Sequence, residues 1–352
     1  MSQNLICLDL GSQNLHMVHG TYNKGNIVLY NAVNFPLSEG VFRDGKIEDF
    51  ERLKESIRTL ISDNKIKEKN AVLTIQSTSI ITRDIMLPAI ERQQLDNMVS
   101  YEIEQYLPII ATEYVIEYSV AGETVENGVN KYKVQVAAMP KNMVDNFLNL
   151  IKELGLKPIA LDIHPNTVAK LISQNTAING RPLDKEKTLA FIDLGYYSIN
   201  IHIISDGKLA FSRIINLGAR DLDNEISITC NLSLEQAEKK KIQDAELDPN
   251  TFNDLITDTF HDLVRAQVDI WLSEIQKIFQ YYISRTTGNR IEEIYLYGGS
   301  SSLHGLNKYF QQALNLPTSN IDDLNNIKIT KNITKFNPRN YINALGGLIR
   351  YE

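Results

Sequence analysis

The sequence predicts an α/β protein made of two duplicated lobes that face each other. Three observations carry this. The stretch "CLDLGSQNLHMVHG", Cys7 to Gly20, runs an apolar strand into Asp9, turns at Gly11 and resumes as an apolar strand. "AFIDLGYYSINIHIISDGKLAFSRIINLG", from Ala190, repeats that pattern about 180 residues later. It has a strand ending Asp193-Leu194-Gly195, a polar turn, an alternating strand with Ile199, Ile201 and Ile203 on one face, a glycine turn and a third strand. The third piece, "IYLYGGSSSLHGL" from Ile294, is a strand that enters Gly298-Gly299 and then serines and a helix. The separation of the two repeats is too long for a solenoid unit, so a duplicated lobe explains them.

Bulk properties set the frame. The 352 residues suffice for two domains or one body with two lobes. A net charge of −7 argues against a nucleic-acid binder, which shows a basic field. Cys7 and Cys230 are too few and too far apart for a disulfide framework, which points to a reducing compartment. The N-terminus lacks a signal-peptide pattern, and no apolar run reaches the roughly 18 residues of a membrane span. The expected location is the cytoplasm, with docking on a membrane partner left open.

The remaining elements follow in order. Ile47–Asn64 has helical spacing, with Phe50, Leu53, Ile57, Leu60 and Ile61 on one face. "AVLTIQ" and "SIITRDIML" read as strands. Pro88 is expected to open a helix that stops before Pro108. "EYVIEYSVAGE" and "KYKVQVAAMP" are alternating strands joined by an Asn127-Gly128 turn. "KNMVDNFLNLIKELG" is a helix closed by Gly155. "KPIALDIH" is a strand, and a helix near Thr167–Ser173 leads into a polar linker, Asn179–Lys187, the expected lobe boundary. Beyond the second repeat come a lysine-rich helix, a long helix from about Asp254 to Thr286, the strand before Gly298, and two helices. The last of these has Ile342, Leu345, Leu348 and Ile349 as core.

The three turns share one chemistry. Hairpins after Asp9 and Asp193 would present backbone N–H groups and the hydroxyls of Ser12 and Ser198 to phosphates. The two carboxylates would hold a Mg²⁺ through its waters, because Mg²⁺ dehydrates reluctantly. The turn at Gly298, Gly299 and Ser300 would close over the nucleoside. Each turn alone also reads as an ordinary polar corner. No G-x-x-x-x-G-K-[ST] loop is present.

Together these turns resemble the actin-like ATPase superfamily. That resemblance implies two lobes around a nucleotide cleft, at residues 1–187 and 188–352. It implies a site for ATP or ADP with Mg²⁺, lined by Asp9, Gly11, Ser12, Gln13, Asn14 and His16 from the first turn. Asp193, Gly195, Tyr196, Tyr197, Ser198 and Gly218 would line it from the second. In "LSLEQAEKKKIQDAE", opened by Ser233, the resemblance assigns Glu238 and Lys241 to ribose and adenine, although the pair also reads as a charged helical face. The segment "ITRDIMLPAIERQQLDNMVSYEIEQYLPI", with "KELGLKPIALDI" and "ALGGLIR", resembles the PilM family of type IV pilus assembly over essentially the whole chain. That implies a small subdomain at about 71–140 in the first lobe, and another at about 218–265 in the second.

The family resemblance implies an adaptor that sits at the inner face of the membrane through its partners. It would bind the extended, apolar cytoplasmic tail of a PilN-like protein in a groove partly walled by residues 81–109. Leu95, Met98, Val99 and Tyr106 in that segment read more readily as core than as groove. Other pilus inner-membrane and motor proteins, and self-association, are further implied partners. His16 departs from the superfamily, which carries a lysine seven residues after the aspartate. A mostly neutral imidazole there implies binding with slow or absent hydrolysis. An FtsA-like polymerising protein and a phosphotransferase are the other readings. The first lacks its membrane-targeting tail here, and the second lacks an evident carboxylate base.

Overall fold

The computed structural model describes residues 3–106, 110–126, 128–248, 259–285, 288–331, 333 and 335–350. The chain divides into two units. One comprises Met1–Pro36, Val72–Thr74 and Asp162–Glu352; the other comprises Leu37–Ala71 and Ile75–Leu161.

The first unit contains both Asp-Leu-Gly repeats, and each forms an antiparallel meander. Strands β1 (Asn4–Leu10), β2 (Asn14–Asn23) and β3 (Asn26–Pro36) make the first. Helix α1 (His164–Gln174) precedes the second, which is β4 (Leu189–Leu194), β5 (Ile199–Ser205) and β6 (Lys208–Ile215). Helices α2 (Ala219–Cys230), α3 (Leu234–Asp244) and α4 (Thr259–Arg285) follow. Then come β7 (Glu293–Tyr297), α5 (Leu306–Leu314), β8 (Thr318–Asn320), β9 (Ile327–Ile329) and α6 (Ile342–Leu348). The expected ends of α4 at Asp254 and Thr286 lie outside the described residues.

The second sheet has the order β6-β5-β4-β7-β8, with β7 parallel to β4 and β8 parallel to β7. Its apolar face carries Ile192, Ile201, Ile203 and Leu296, which pack with Trp271, Leu272 and Phe310 from α4 and α5. Asn200 and His202, the alternate residues of β5, are buried too, so this strand is enclosed on both faces rather than one. His202 Nδ1 lies 3.0 Å from Ser212 Oγ, and burial pulls its pKa down to about 3.

Within the range 188–352, β9 returns to the first sheet, parallel to β3. Helix α6 packs on α1 and β1, and its four expected apolar residues are core. The contact needs Gly346, because a Cβ there would lie 2.0 Å from the Thr167 carbonyl oxygen.

The second unit has its own small core. Its helix Phe50–Asp63 is capped by Asp49, whose carboxylate accepts from the Arg52 backbone N–H at 3.0 Å. Strands Ile81–Pro88, Val129–Pro140 and Tyr114–Glu126 form an antiparallel sheet in that order. Pro88 does not open a helix: it ends its strand opposite Lys131, and the helix begins at Arg92. A strand end tolerates the missing N–H, and the backbone stays extended there to complete the ladder. Leu95, Val99 and Ile103 from that helix pack with Leu87, Val134 and Val136. The apolar stripe is thus core, with Met98 packed against it. Asn127, Leu107 and Pro108 lie outside the described residues, as does the Tyr106 side chain.

Candidate functional site

The two repeats fold into the same local structure. Gly11 N–H donates to the Asn14 carbonyl at 3.0 Å, and Gly195 N–H donates to the Ser198 carbonyl at 3.1 Å. Each turn leaves its aspartate opposite a polar residue on the next strand: Asp9 faces His16, and Asp193 faces Asn200. The duplication seen in the letters is therefore a duplication of hydrogen bonding and register.

Asp9 is buried among donors. Its Oδ1 accepts from Thr74 Oγ1 at 3.0 Å and from His164 Nε2 at 2.8 Å. Its Oδ2 lies 3.8 Å from His16 Nδ1. Burial works to raise its pKa, but the charge and hydrogen bond of His164 outweigh it and hold the carboxyl below its ordinary value. The two imidazoles behave oppositely. Burial lowers His16, against a weaker pull from Asp9. Burial also works against charge on His164, yet Asp9 and then Asp193 raise it above its ordinary value. His16 also stands edge-on to Tyr341, with ring centroids 5.6 Å apart.

Asp193 is less supported. Asn343 Nδ2 donates to its Oδ2 at 3.3 Å. Burial, reinforced by the charge of Asp9, pushes its pKa up. A raised carboxyl pKa favours the neutral form in the fold. Stability on this account is present below the unfolded pKa near 3.9 and is lost as pH rises through the folded value. Asp193→Asn is therefore expected to raise the thermal midpoint at pH 7, with the gain vanishing below about pH 4. Calorimetric scans across that range check the sign; an unchanged or lower midpoint at pH 7 rules it out.

The other expected residues lie on the two turns, on α2 and α3 and on the turn after β7. Gln13 Nε2 donates to Glu238 Oε1 at 2.9 Å, so the first turn reaches α3 directly. Gly218 N–H donates to Asp221 Oδ2 at 2.9 Å. The N–H groups of Ala219 and Arg220 donate to the carbonyls of Gly195 and Tyr196, which docks α2 on the second turn. Tyr196 and Tyr197 meet edge to face at 5.0 Å, and the Arg220 guanidinium lies 5.2 Å from the Tyr197 ring. Gly298 has φ +83, and its N–H donates to the Arg339 carbonyl at 3.1 Å. Ser300 is buried behind it, Gly299 is open, and Ser12 and Asn14 are half-buried. Lys241 is buried in α3 with its ammonium between both oxygens of Asp223, at 2.8 and 2.9 Å. It is engaged within the α2–α3 pair.

Sequence reasoning missed Thr74, His164, Asn200, Tyr341 and Asn343. His164 ends the quoted strand "KPIALDIH", and a histidine at the end of a buried strand is the one signal that could have flagged it. Asn343 reaches Asp193 from 150 residues away, and Tyr297 in turn donates to Asn343 Oδ1 at 3.4 Å. The expectation of a Mg²⁺ held by Asp9 and Asp193 meets a different donor set. Asp9 Oδ1 already holds two protein donors, one of them an imidazole. Among the described residues, no three His, Cys, Asp or Glu groups converge to hold a metal ion. A Mg²⁺ held through its waters would use Asp9 Oδ2, which lies 3.8 Å from His16 Nδ1, together with Asp193.

Residues 7–346 match the family described as type IV pilus assembly protein PilM. The chain belongs to that family. A solved structure of the PilM–PilN type IV pilus biogenesis complex is similar at a TM-score of 0.81, with 20% identity over 98% of this chain and 97% of that one. MreB 5 of Spiroplasma citri, solved with AMPPNP, matches at a TM-score of 0.52 and 14% identity, over 98% of this chain and 94% of that one. The PilM fold is thus the actin-like ATPase fold. Cell division protein FtsA of Bacillus subtilis (strain 168) is 22% identical over 263 residues, 68% of this chain and 57% of its own length. This PilM-family chain therefore spans little more than half of that relative. Among the described residues, no helix is long and apolar enough to cross a membrane.

Proposed function

We propose that this chain is a cytoplasmic, nucleotide-binding adaptor of type IV pilus assembly. It binds the cytoplasmic N-terminal tail of a PilN-like inner-membrane protein and so links that complex to the assembly motor. The observation that carries this reading is the matched pair of Asp-Leu-Gly turns, in a chain of the PilM family whose fold parallels a PilM–PilN complex. The nucleotide is ATP or ADP, cradled by the turns at Gly11, Gly195 and Gly298. Mg²⁺ would accompany it, held by Asp9 and Asp193 through its waters.

An extended apolar tail, roughly Ile-Asn-Leu-Leu-Pro, suits recognition by apolar anchors and main-chain hydrogen bonds. Leu95 and Val99 do not supply those anchors, since they fill the core of the inserted sheet and helix. Calorimetric titration with a synthetic PilN-like tail is expected to give saturable one-to-one binding. A Kd weaker than about 1 mM, or about 4 kcal/mol of binding free energy, overturns the adaptor reading. ATP turnover is expected far below about 1 s⁻¹, the low end of ordinary enzymes, because burial keeps His16 neutral where phosphoryl transfer calls for a cation.

The FtsA relationship favours one second reading, an ATP-dependent polymer. Sedimentation of the chain with ATP separates the two: pelleting supports the polymer, and a soluble chain that binds the tail supports the adaptor.

A further inference from the structure

The chain passes between its two sheets twice. Residues 175–188 lead from α1 to β4, and residues 321–326 lead from β8 in the second sheet back to β9 in the first. The two crossings lie against each other. Ile178 and Leu324 form an antiparallel bridge and are 1% and 2% exposed. Around that bridge, an asparagine of each crossing takes two successive N–H groups of the other. Asn179 Oδ1 accepts from the Asp322 N–H at 2.7 Å and the Asp323 N–H at 3.0 Å, and its Nδ2 donates to the Asn320 carbonyl at 2.6 Å. Asn325 Oδ1 accepts from the Thr176 N–H at 3.1 Å and the Ala177 N–H at 3.0 Å, and its Nδ2 donates to Thr176 Oγ1 at 2.6 Å. Their own N–H groups donate across as well, Asn179 to the Asp323 carbonyl at 3.0 Å and Asn325 to the Ala177 carbonyl at 3.4 Å. Connections at a surface are ordinarily the mobile parts of a fold, and these two are tied at side chain and backbone alike. Asparagine suits position 179 twice over. It tolerates the left-handed backbone there, at φ +52, and its amide offers acceptor and donor together.

The joint is continuous with the candidate site. Asp322, whose N–H Asn179 holds, accepts from Arg339 Nε at 2.9 Å with its carboxylate. The Arg339 carbonyl in turn accepts from the Gly298 N–H at 3.1 Å. We propose that Asn179 and Asn325 lock the two crossings into one rigid joint, which fixes the two sheets against each other and so positions the turn at Gly298 relative to those at Asp9 and Asp193. Both asparagines are positioning residues. That these turns hold a nucleotide rests on the reading above, but the experiment below uses none, so failure of one leaves the other standing.

Hydrogen exchange of the full chain is the test. Thr176, Asp322 and Asp323 are exposed residues. Their amides and that of Ala177 are nonetheless expected to exchange at least about a hundredfold more slowly than in an unstructured chain, and faster exchange overturns the inference. Two aspartate variants give a readout specific to the clamps. In Asn325→Asp both N–H groups keep their acceptor, and the Thr176 hydroxyl can turn to donate to the new carboxylate. Protection of the four amides is expected to stay within about threefold of the wild type. In Asn179→Asp the lost donor sets an oxygen against the Asn320 carbonyl, beside Asp322 and Asp323. Protection is then expected to fall at least about tenfold at all four amides. Equal effects of the two variants overturn the inference. Urea unfolding followed by Trp271 shows whether each variant is folded. If Asn179→Asp is not, Asn179→Gly takes its place, since it accepts the backbone and lacks the amide. Spin labels on Asn34→Cys in β3 and Gln276→Cys in α4, in a Cys230→Ser chain, read the sheets themselves. One narrow distance is expected with the clamps intact, broadened by the variant at Asn179. Two distances with the clamps intact, or no broadening, overturn the inference.

Discussion

Asp162→Leu is expected to lower stability by about 3–5 kcal/mol, because it leaves a buried ammonium without its counter-charge. Lys170 Nζ donates to Asp162 Oδ2 at 2.6 Å and to the Ile349 carbonyl at 3.0 Å. Arg350 Nη1 reaches the same Oδ2 at 2.9 Å, and Asn166 Nδ2 reaches Oδ1 at 2.6 Å. This cluster ties α1 to the chain just after α6. Urea unfolding followed by Trp271 reads the loss, since it is the sole tryptophan and is buried in the same unit. Adding Lys170→Met removes the stranded charge and is expected to restore much of the stability; no recovery would show that the loss is steric.

The same pair has an acid signature. Burial works to raise the Asp162 carboxyl, but the Lys170 charge and hydrogen bond overcome it and hold the pKa low. A depressed carboxyl stabilises above its unfolded pKa and loses that contribution as pH falls through the folded value. The gap between wild type and Asp162→Leu is therefore expected to narrow below about pH 4.

Gly298→Val is expected to weaken ADP binding at least tenfold, about 1.4 kcal/mol, and to destabilise the chain by about 1–3 kcal/mol. At φ +83 the backbone is in a region that a branched side chain adopts only with strain. A Cβ there would also fall 2.2 Å from Asp193 Oδ1 and 2.9 Å from Leu194 N. Relief requires the turn to leave Asp193 or Asp193 to leave Asn343. Gly299→Ala is the control: nothing lies within 4 Å of its Cβ, so a stability change under about 1 kcal/mol is expected. Fluorescence-monitored ADP titration and urea unfolding of the two variants decide the point. Equal losses for both would mean that flexibility, rather than close approach, is what the turn needs.

The parts of the fold that were legible in the letters are those with local causes. The Asp-Leu-Gly turns, the alternation of Ile199, Ile201 and Ile203, the Ser233 cap and the apolar face of the last helix are written over a few residues each. Each is set by steric rules or by one hydrogen bond. Pro88 was misread because a proline marks a helix start and a strand end equally well, and only the ladder opposite Lys131 distinguishes them. Lys241 was legible as a helical charge. Its engagement with Asp223, 18 residues earlier, depends on how α2 and α3 pack.

By itself, the sequence determined the duplicated α/β plan, the two aspartates at matching turns, the glycine turn at Gly298 and the family. These are short-range patterns, repeated, and repetition makes them specific. Only the tertiary structure decided which imidazole serves Asp9. His16 is seven residues from it in the chain and His164 is 155, yet His164 is the one in hydrogen-bond contact. Cross-strand geometry turns the near residue's ring towards Tyr341 at 3.8 Å from the carboxylate, and the start of α1 delivers the far one at 2.8 Å. Electrostatics in a buried site follows distance in space, which no spacing in the chain encodes.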